Sequence, residues 1–108
     1  YSPWPFAGPH PTVTNFTDKD AQAAVTTMDG LKQWTGKHGG VPVVHDEFGC
    51  TVQQPNRAAR LRYYKAYATA AENSGVGWAV WDDNGWFRIL DRVNRTWDAG
   101  VLGALIPR

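Results

Sequence analysis

The spacing of apolar positions predicts three amphipathic helices. In residues 17–36, apolar side chains recur every three or four positions, which is the period of an α-helix. Thr17 or Asp18 can cap the start of this helix, and Gly36 can end it in a left-handed turn. Residues 55–75 show the same period, and Pro55 suits the first turn of that helix. Residues 97–105 show it again, and Pro107 should end this third helix.

Two short runs rich in β-branched and aromatic residues predict strands between these helices. Residues 41–44 form the first run and lead directly into residues 45–49, which therefore lie at its C-terminal end. Residues 76–81 form the second run, and a polar loop follows at 82–85. Strand, helix and strand in this order predict a parallel βαβ unit and an α/β fold. Because a parallel sheet this small leaves edges unpaired, we expect further strands to complete it.

Composition narrows the possible partners. The 108 residues, 43% hydrophobic and 19% charged, can bury enough apolar surface for one folded unit, and we treat 1–108 as a single domain. The 11 basic and 10 acidic side chains are scattered, so neither nucleic acid nor a membrane surface is an expected partner. Residues 1–6 open on aromatic residues and prolines, which leads us to expect a segment of a longer polypeptide.

Four segments resemble the family-5 glycoside hydrolases, in the order in which that family carries them. The sequence VVHDEFG at 43–49 resembles the seventh-strand motif, whose glutamate is the family's nucleophile. Residues 78–81 resemble the eighth strand with its sugar-binding tryptophan, and residues 85–90 are similar to the hairpin that follows. Residues 97–105 resemble the last barrel helix. Residues 1–6 look like the exit from strand six, where Tyr1 matches the tyrosine of a His-x-Tyr pair.

The resemblance implies an incomplete barrel. It predicts the C-terminal portion, about strands six to eight with their helices, of a (β/α)8 TIM barrel, which in full runs to roughly 250 residues. It also implies a secreted, retaining endo-β-1,4-glucanase that acts on a β-linked glucan and needs no cofactor. The family's acid/base glutamate lies in an Asn-Glu pair, and this sequence contains no such pair. The other strands would come from a complementary barrel half or from self-association.

The resemblance also assigns roles to particular side chains. Glu47 is the expected nucleophile, and Tyr1 is expected to donate a hydrogen bond to its carboxylate. The side chains expected to bind sugar are Trp81, Asp83, Asn84, Trp4 and Trp86. Two alternatives remain open, because Trp81 can instead fill a core and the Asp-Asn segment can simply form a turn.

Alternation along the strands predicts which side chains share a face. Residues 77, 79 and 81 should face the barrel interior, whereas residues 76, 78 and 80 should meet the outer helices. The same rule puts Val43, His45 and Glu47 on one face, with His45 beneath the nucleophile as an orienting group or an ordinary interior histidine. A zinc site from His45, Glu47 and Cys50 fits no known ligand spacing, so no metal is expected.

Three rival functions follow from the same residues. Without its acid/base glutamate, the chain can be a non-catalytic module that binds β-glucan through Trp81, or a self-assembling half-barrel without activity. A structural domain with no role in sugar binding is the third possibility.

Overall fold

The computed structural model describes residues 2–107 and confirms the α/β class. The elements in chain order are α1 (Trp4–Ala7), α2 (Asp18–Lys37), β1 (Val44–Phe48), α3 (Arg57–Asn73), β2 (Gly77–Val80), β3 (Leu90–Asp91), β4 (Thr96–Trp97) and α4 (Ala99–Leu105). Strands β1 and β2 pair in parallel across α3, as predicted for a βαβ unit, and β3 pairs with β4 as an antiparallel hairpin. No helix in the part of the chain described here has the length and apolarity to cross a membrane.

A capping box fixes the start of α2. The Thr17 side chain accepts from the backbone N–H of Asp20, and the Asp20 carboxylate accepts from the Thr17 N–H at 2.7 Å. The prediction that Gly36 ends this helix was wrong, because α2 continues to Lys37. The left-handed turn falls later, at Gly39 with φ of 73°.

The starts of α3 and α4 differ from their predicted positions, because a polar side chain caps each helix. Pro55 precedes α3, and the Asn56 side chain caps the helix by accepting a first-turn N–H at 3.0 Å. Trp97 was predicted to begin the last helix, but it pairs with Leu90 in the β3–β4 hairpin. Asp98 is the N-cap of α4. Carboxylate and amide side chains bind the free N–H groups of a first turn, so they decide these boundaries.

Strand β1 differs from its prediction in position and in register. It spans Val44–Phe48 instead of residues 41–44, so Glu47 lies within the strand. His45 pairs with Trp78 and Phe48 with Val80, which leaves two residues of β1 opposite one residue of β2. This irregularity is a β-bulge, and it changes the alternation of side chains along the strand.

The bulge places His45 on the helix side of the sheet. Its ring stacks on Phe48, with centroids 5.6 Å apart, and on Tyr67 of α3 at 6.1 Å. The prediction that His45 shares a face with Glu47 was therefore wrong. Glu47 directly precedes the buried Phe48 and is itself exposed, on the opposite side of the strand.

Strand β2 has the two faces that alternation predicts. Val76 is buried, and Trp78 and Val80 pack against the same core. Gly77, Ala79 and Trp81 are exposed on the other face. The helices therefore cover one side of the β1–β2 sheet and leave the second side open.

The loop after β1 is held from behind by two side chains of α3. The Tyr64 hydroxyl accepts from the N–H of Cys50 at 3.0 Å and donates to its C=O at 3.2 Å. Arg60 donates to the same C=O at 3.1 Å, and its guanidinium lies 5.5 Å from the centre of the Tyr64 ring. Burial raises the pKa of the Cys50 thiol to about 12. Cys50 is therefore a small, fully buried core residue.

A charged cluster joins α3 to α4. Asp98 contacts Arg57 at 2.7 Å and Arg60 at 3.3 Å, and it accepts from the N–H of Val101 at 3.0 Å. Hydrogen bonding by Arg57 is the main cause that lowers the pKa of Asp98 to about 2, with further contributions from the Val101 N–H and both guanidinium charges.

This cluster predicts an acid-dependent part of the stability. An unpaired aspartate has a pKa of about 3.9, so the stabilisation from ionised Asp98 should be complete above about pH 4 and lost as the pH falls towards 2. Asp98→Asn should lower the free energy of unfolding at pH 7, and the gap to the parent protein should narrow between pH 4 and pH 2. Urea unfolding followed by circular dichroism measures both. A gap independent of pH would contradict the role given to Asp98.

Candidate active site at the ends of the parallel strands

A cavity of about 510 Å³ lies at the C-terminal ends of β1 and β2. Five of its lining residues come from β1, from α1 and from the segments that follow β1 and β2: Glu47, Gly49, Trp4, Trp81 and Phe87. Tyr63 and Tyr67 of α3 line it from behind, next to His45. The cavity therefore combines the Glu47 carboxylate with an aromatic wall formed by Trp4, Trp81 and Phe87. This combination suits a polar ligand with apolar ring faces.

Glu47 occupies the position that sequence reasoning gave to the nucleophile. Its side chain is exposed at the end of β1 and lines the cavity, so it can meet a ligand there. Tyr1, its predicted hydrogen-bond partner, lies outside the described residues, and that contact stays a prediction.

Trp81 stands on the same side as Glu47 and is 45% exposed, so it lies outside the core that the described residues form. Its backbone N–H donates to the Phe48 C=O at 2.8 Å, which joins the ends of the two strands. A Cβ at Gly49 would lie 3.3 Å from both the Trp81 C=O and the Phe87 ring. Glycine at this position therefore lets the chain after Glu47 approach Trp81 closely.

Trp4 and Phe87 extend the aromatic wall. Trp4, in α1, is 61% exposed, and its ring stacks on Phe87 with centroids 6.3 Å apart and planes inclined by 28°. The sequence pattern does not single out Phe87, because the position of this residue depends on how the loop after β2 turns back. The structure thus brings Glu47, Trp81 and Trp4 together around one cavity.

Trp86 and Asn84 lie apart from the lining of this cavity. The Trp86 ring makes an edge contact with His10 at 5.2 Å, and its backbone C=O accepts from Val52. Asn84 adopts a left-handed conformation with φ of 60° in the turn, where its N–H donates to Asp82 at 3.1 Å. The sugar-binding roles of Trp86 and Asn84 remain predictions.

The Asp83 carboxylate stabilises the loop after β2 by hydrogen bonds. It accepts from the N–H groups of Gly85 at 2.8 Å and Phe87 at 3.1 Å. The Gly85 N–H is the main cause that lowers the pKa of Asp83, and the Phe87 N–H also contributes. The alternative reading of Asp83 as a turn residue therefore has direct structural support.

His45 reaches the cavity from the helix side of the sheet. Its Nδ1 atom is buried and makes no hydrogen bond with any residue between 2 and 107. Burial lowers the pKa of His45, against a smaller opposing effect of Asp46. Within the same range, no three His, Cys, Asp or Glu side chains converge as the ligands of a metal ion do.

A second cavity of about 440 Å³ surrounds the ends of α3 and α4. Arg57, Arg60 and Asp98 line it, and these charges pair with one another. Their mutual contacts explain this cluster as part of the packing between the two helices.

Comparison with known proteins finds similarity to endoglucanases. No family model matches the chain. It is 32% identical over 96 residues to endoglucanase H of Acetivibrio thermocellus, a match that covers 82% of the chain and 10% of that protein. The chain therefore spans about a tenth of this curated relative.

Two solved structures resemble the chain in both fold and sequence. The cellulose synthase subunit Z of Clostridioides difficile is 27% identical with a TM-score of 0.83, over 98% of this chain and 38% of that one. A GH5-4 broad specificity endoglucanase from Ruminococcus champanellensis, solved with bound cellotriose, is 26% identical with a TM-score of 0.83, over 98% of this chain and 32% of that one. In sequence and in fold, the chain is similar to the C-terminal part of a family-5 glycoside hydrolase barrel.

Proposed function

We propose that this chain carries the nucleophile of a retaining β-glucan hydrolase. The observation that carries the proposal is that Glu47 and Trp81 line one cavity at the ends of two adjacent parallel strands. A carboxylate beside an exposed indole matches the needs of sugar chemistry, since the indole stacks on a sugar ring while the carboxylate reaches the anomeric carbon. The similarity to endoglucanases and to a structure with bound cellotriose supports this choice of ligand.

The proposed reaction proceeds in two steps. The Glu47 carboxylate attacks the anomeric carbon while the bond to the leaving oxygen breaks, and a second carboxyl group protonates that oxygen. This step forms a glycosyl ester on Glu47. Water, deprotonated by the second carboxylate, then attacks the same carbon and releases the sugar and the free Glu47 carboxylate.

We assign the second carboxyl group to a residue outside these 108. The only other glutamate of the chain, Glu72, lies on α3 and accepts a hydrogen bond from the Trp78 indole at 3.3 Å, on the helix side of the sheet. A retaining pair needs carboxyl groups roughly 5 to 5.5 Å apart across the substrate. Glu72 faces away from the open side, so it does not meet this requirement.

The substrate class proposed is a β-linked glucan chain. The aromatic wall of Trp4, Phe87 and Trp81 offers stacking surfaces to more than one sugar ring. A β-glucan polymer is too large to cross a cell membrane, so we propose that the protein acts outside the cell. Detection of the protein in the cells but not in the surrounding medium would contradict this location.

We further propose that additional strands complete the sheet, from a complementary barrel half or from other copies of the chain. Within residues 2–107, β1 and β2 pair only with each other, so each has one free edge. The open face beside them exposes apolar surface, including Val44 at 60% and Trp81 at 45%. Unpaired strand edges next to an apolar face favour association.

A non-catalytic β-glucan-binding module is the second candidate. The absence of an Asn-Glu pair from the sequence favours it, because the chain then holds only one of the two carboxyl groups that hydrolysis requires. The aromatic wall would bind sugar in either case, so the two candidates differ only in whether Glu47 reacts.

Covalent labelling separates these two functions. Incubation with a 2-fluoro-cellobioside that carries an activated leaving group should add one glycosyl unit to Glu47. The activated group departs without protonation, so the reaction needs no acid residue. Mass spectrometry of peptides locates the label. Glu72→Gln is the matched control and should label like the parent protein, whereas Glu47→Gln should not label.

Either of two results would contradict the assignment. A label that persists in Glu47→Gln would exclude this residue as the nucleophile. Sugar binding without any label would favour the non-catalytic module.

The proposed association is tested by size-exclusion chromatography with light scattering. The chain should form oligomers whose mass rises with concentration, because identical open edges and faces can pair. Val44→Lys places a charge on the open face and should shift the equilibrium towards the monomer. Val93→Lys, at a position 91% exposed in the β3–β4 turn, is the matched control and should have no effect. A monomer at every concentration would contradict self-association.

A further inference from the structure

We propose that Gln54 is a positioning residue that holds helix α1 at the cavity and so fixes Trp4 as a sugar platform. This inference rests on the proposed function insofar as the ligand is a sugar. Helix α1 supplies Trp4 and Ala7 to the lining of the cavity. Gln54 lies in the loop between β1 and α3, behind the lining, and reaches α1 through its backbone.

The side-chain amide of Gln54 is fully hydrogen-bonded. Nε2 donates to the C=O of Phe6 at 2.9 Å and to the C=O of Val13 at 3.0 Å, and Oε1 accepts from the N–H of Asn56 at 3.2 Å. Gln54 is only 4% exposed, so water does not compete for these bonds. One buried amide therefore joins the start of α3 to both ends of the segment from Phe6 to Val13.

Helix α1 depends on contacts of this kind for its direction. It is a single turn of four residues, which is too short to be stable by its own hydrogen bonds. Phe6 packs against Phe16 and Tyr63, with ring centroids 5.5 and 6.0 Å away, but apolar packing is not directional.

Two hydrogen bonds from the loop after β1 supply the direction. The Thr51 N–H donates to the C=O of Ala7 at 2.8 Å and attaches the end of the helix at one point. Gln54 attaches it at a second point, the C=O of Phe6. Because one point of attachment still permits rotation, the bond from Gln54 sets the direction in which α1 meets the cavity.

The Trp4 ring takes its place from the backbone of α1. A Cβ at Gly8, the residue after the helix, would lie 2.7 Å from two atoms of the Trp4 ring, so the ring lies directly against this glycine. Phe87 stacks on the same ring at 6.3 Å, and Trp4 is nevertheless 61% exposed. A change in the direction of α1 would therefore carry the exposed ring away from Phe87.

Nuclear magnetic resonance tests the positioning without any sugar. In the parent protein, the ring protons of Trp4 should show a nuclear Overhauser effect to those of Phe87, and the Trp4 signals are identified by their loss in Trp4→Phe. Gln54→Met keeps the length of the side chain but removes the donor, and it should weaken this effect. Gln22→Met, at an exposed position of α2, is the matched control and should leave it unchanged. An undiminished effect in Gln54→Met would overturn the proposal.

Sugar binding tests whether Gln54 acts through Trp4. Calorimetric titration with cellotetraose should show about fivefold weaker affinity in Gln54→Met, the order of change expected when one aromatic contact is withdrawn. In the Trp4→Ala background, Gln54→Met should cause little further loss. An equal loss in both backgrounds would mean that Gln54 does not act through Trp4, and would overturn the proposal.

The kinetics of covalent labelling separate positioning of the platform from an effect on the nucleophile. Gln54→Met should raise the concentration of 2-fluoro-cellobioside that gives half the maximal labelling rate, and the maximal rate should stay unchanged. A lower maximal rate would place the effect of Gln54 at Glu47 and contradict the proposal.

These measurements fail separately from the proposed function. If the parent protein binds no cello-oligosaccharide, the proposed function fails, while the contact between Trp4 and Phe87 still decides whether Gln54 positions the ring. Circular dichroism checks the fold of each variant. If Gln54→Met does not fold, Gln54→Asn takes its place with the same expected results, because it keeps the amide but is one methylene shorter and loses its reach to α1.

Discussion

The hydrogen bond from the Trp81 N–H to the Phe48 C=O is the contact on which the arrangement of the site depends. At 2.8 Å it extends the parallel pairing of β1 and β2 to the ends of the strands. Because Glu47 directly precedes Phe48, this one bond fixes the carboxylate and the indole at neighbouring strand ends. The β-bulge before Phe48 matters equally, since it turns His45 towards the helices and leaves Glu47 on the open side.

A packed, hydrogen-bonded layer lies behind the open side of the sheet. Phe48 packs among the tyrosines of α3, with ring centroids 5.7 to 6.4 Å away. Tyr64 and Arg60 hold the backbone of Cys50 by three hydrogen bonds just past the end of β1. A site built on strand ends with such backing keeps its side chains in place better than one built on loops alone.

The front of the sheet contrasts with this backing. Val44, Ala79 and Trp81 present apolar or small side chains on a face that no described residue covers. In addition, the buried Nδ1 atom of His45 makes no hydrogen bond with any of residues 2–107. Both features support the proposal that further strands complete the sheet.

The sequence by itself determined the class of fold and the order of its elements. Apolar periods of three to four residues located the three longer helices, and the βαβ order predicted the parallel pairing, because these features depend on local patterns and chain connectivity. The Glu-Phe-Gly segment and Trp81 also pointed to two residues that line the same cavity. Strict alternation likewise predicted the faces of β2 correctly, because that strand pairs without an inserted residue.

Only the tertiary structure decided how these residues meet. The face of His45 was predicted wrongly because a bulge depends on the register between two strands, which alternation within one strand does not reveal. Phe87 was missed because the hydrogen bonds of Asp83 fold its loop back to the cavity. The burial of Arg60 beside Asp98 likewise arises where α3 meets α4. For His45 and Arg60 the cause is a contact between segments distant in the chain. For Phe87 it is a hydrogen bond that closes a loop over four residues. Neither kind of contact is visible in the apolar period of a helix or in the alternation along a strand.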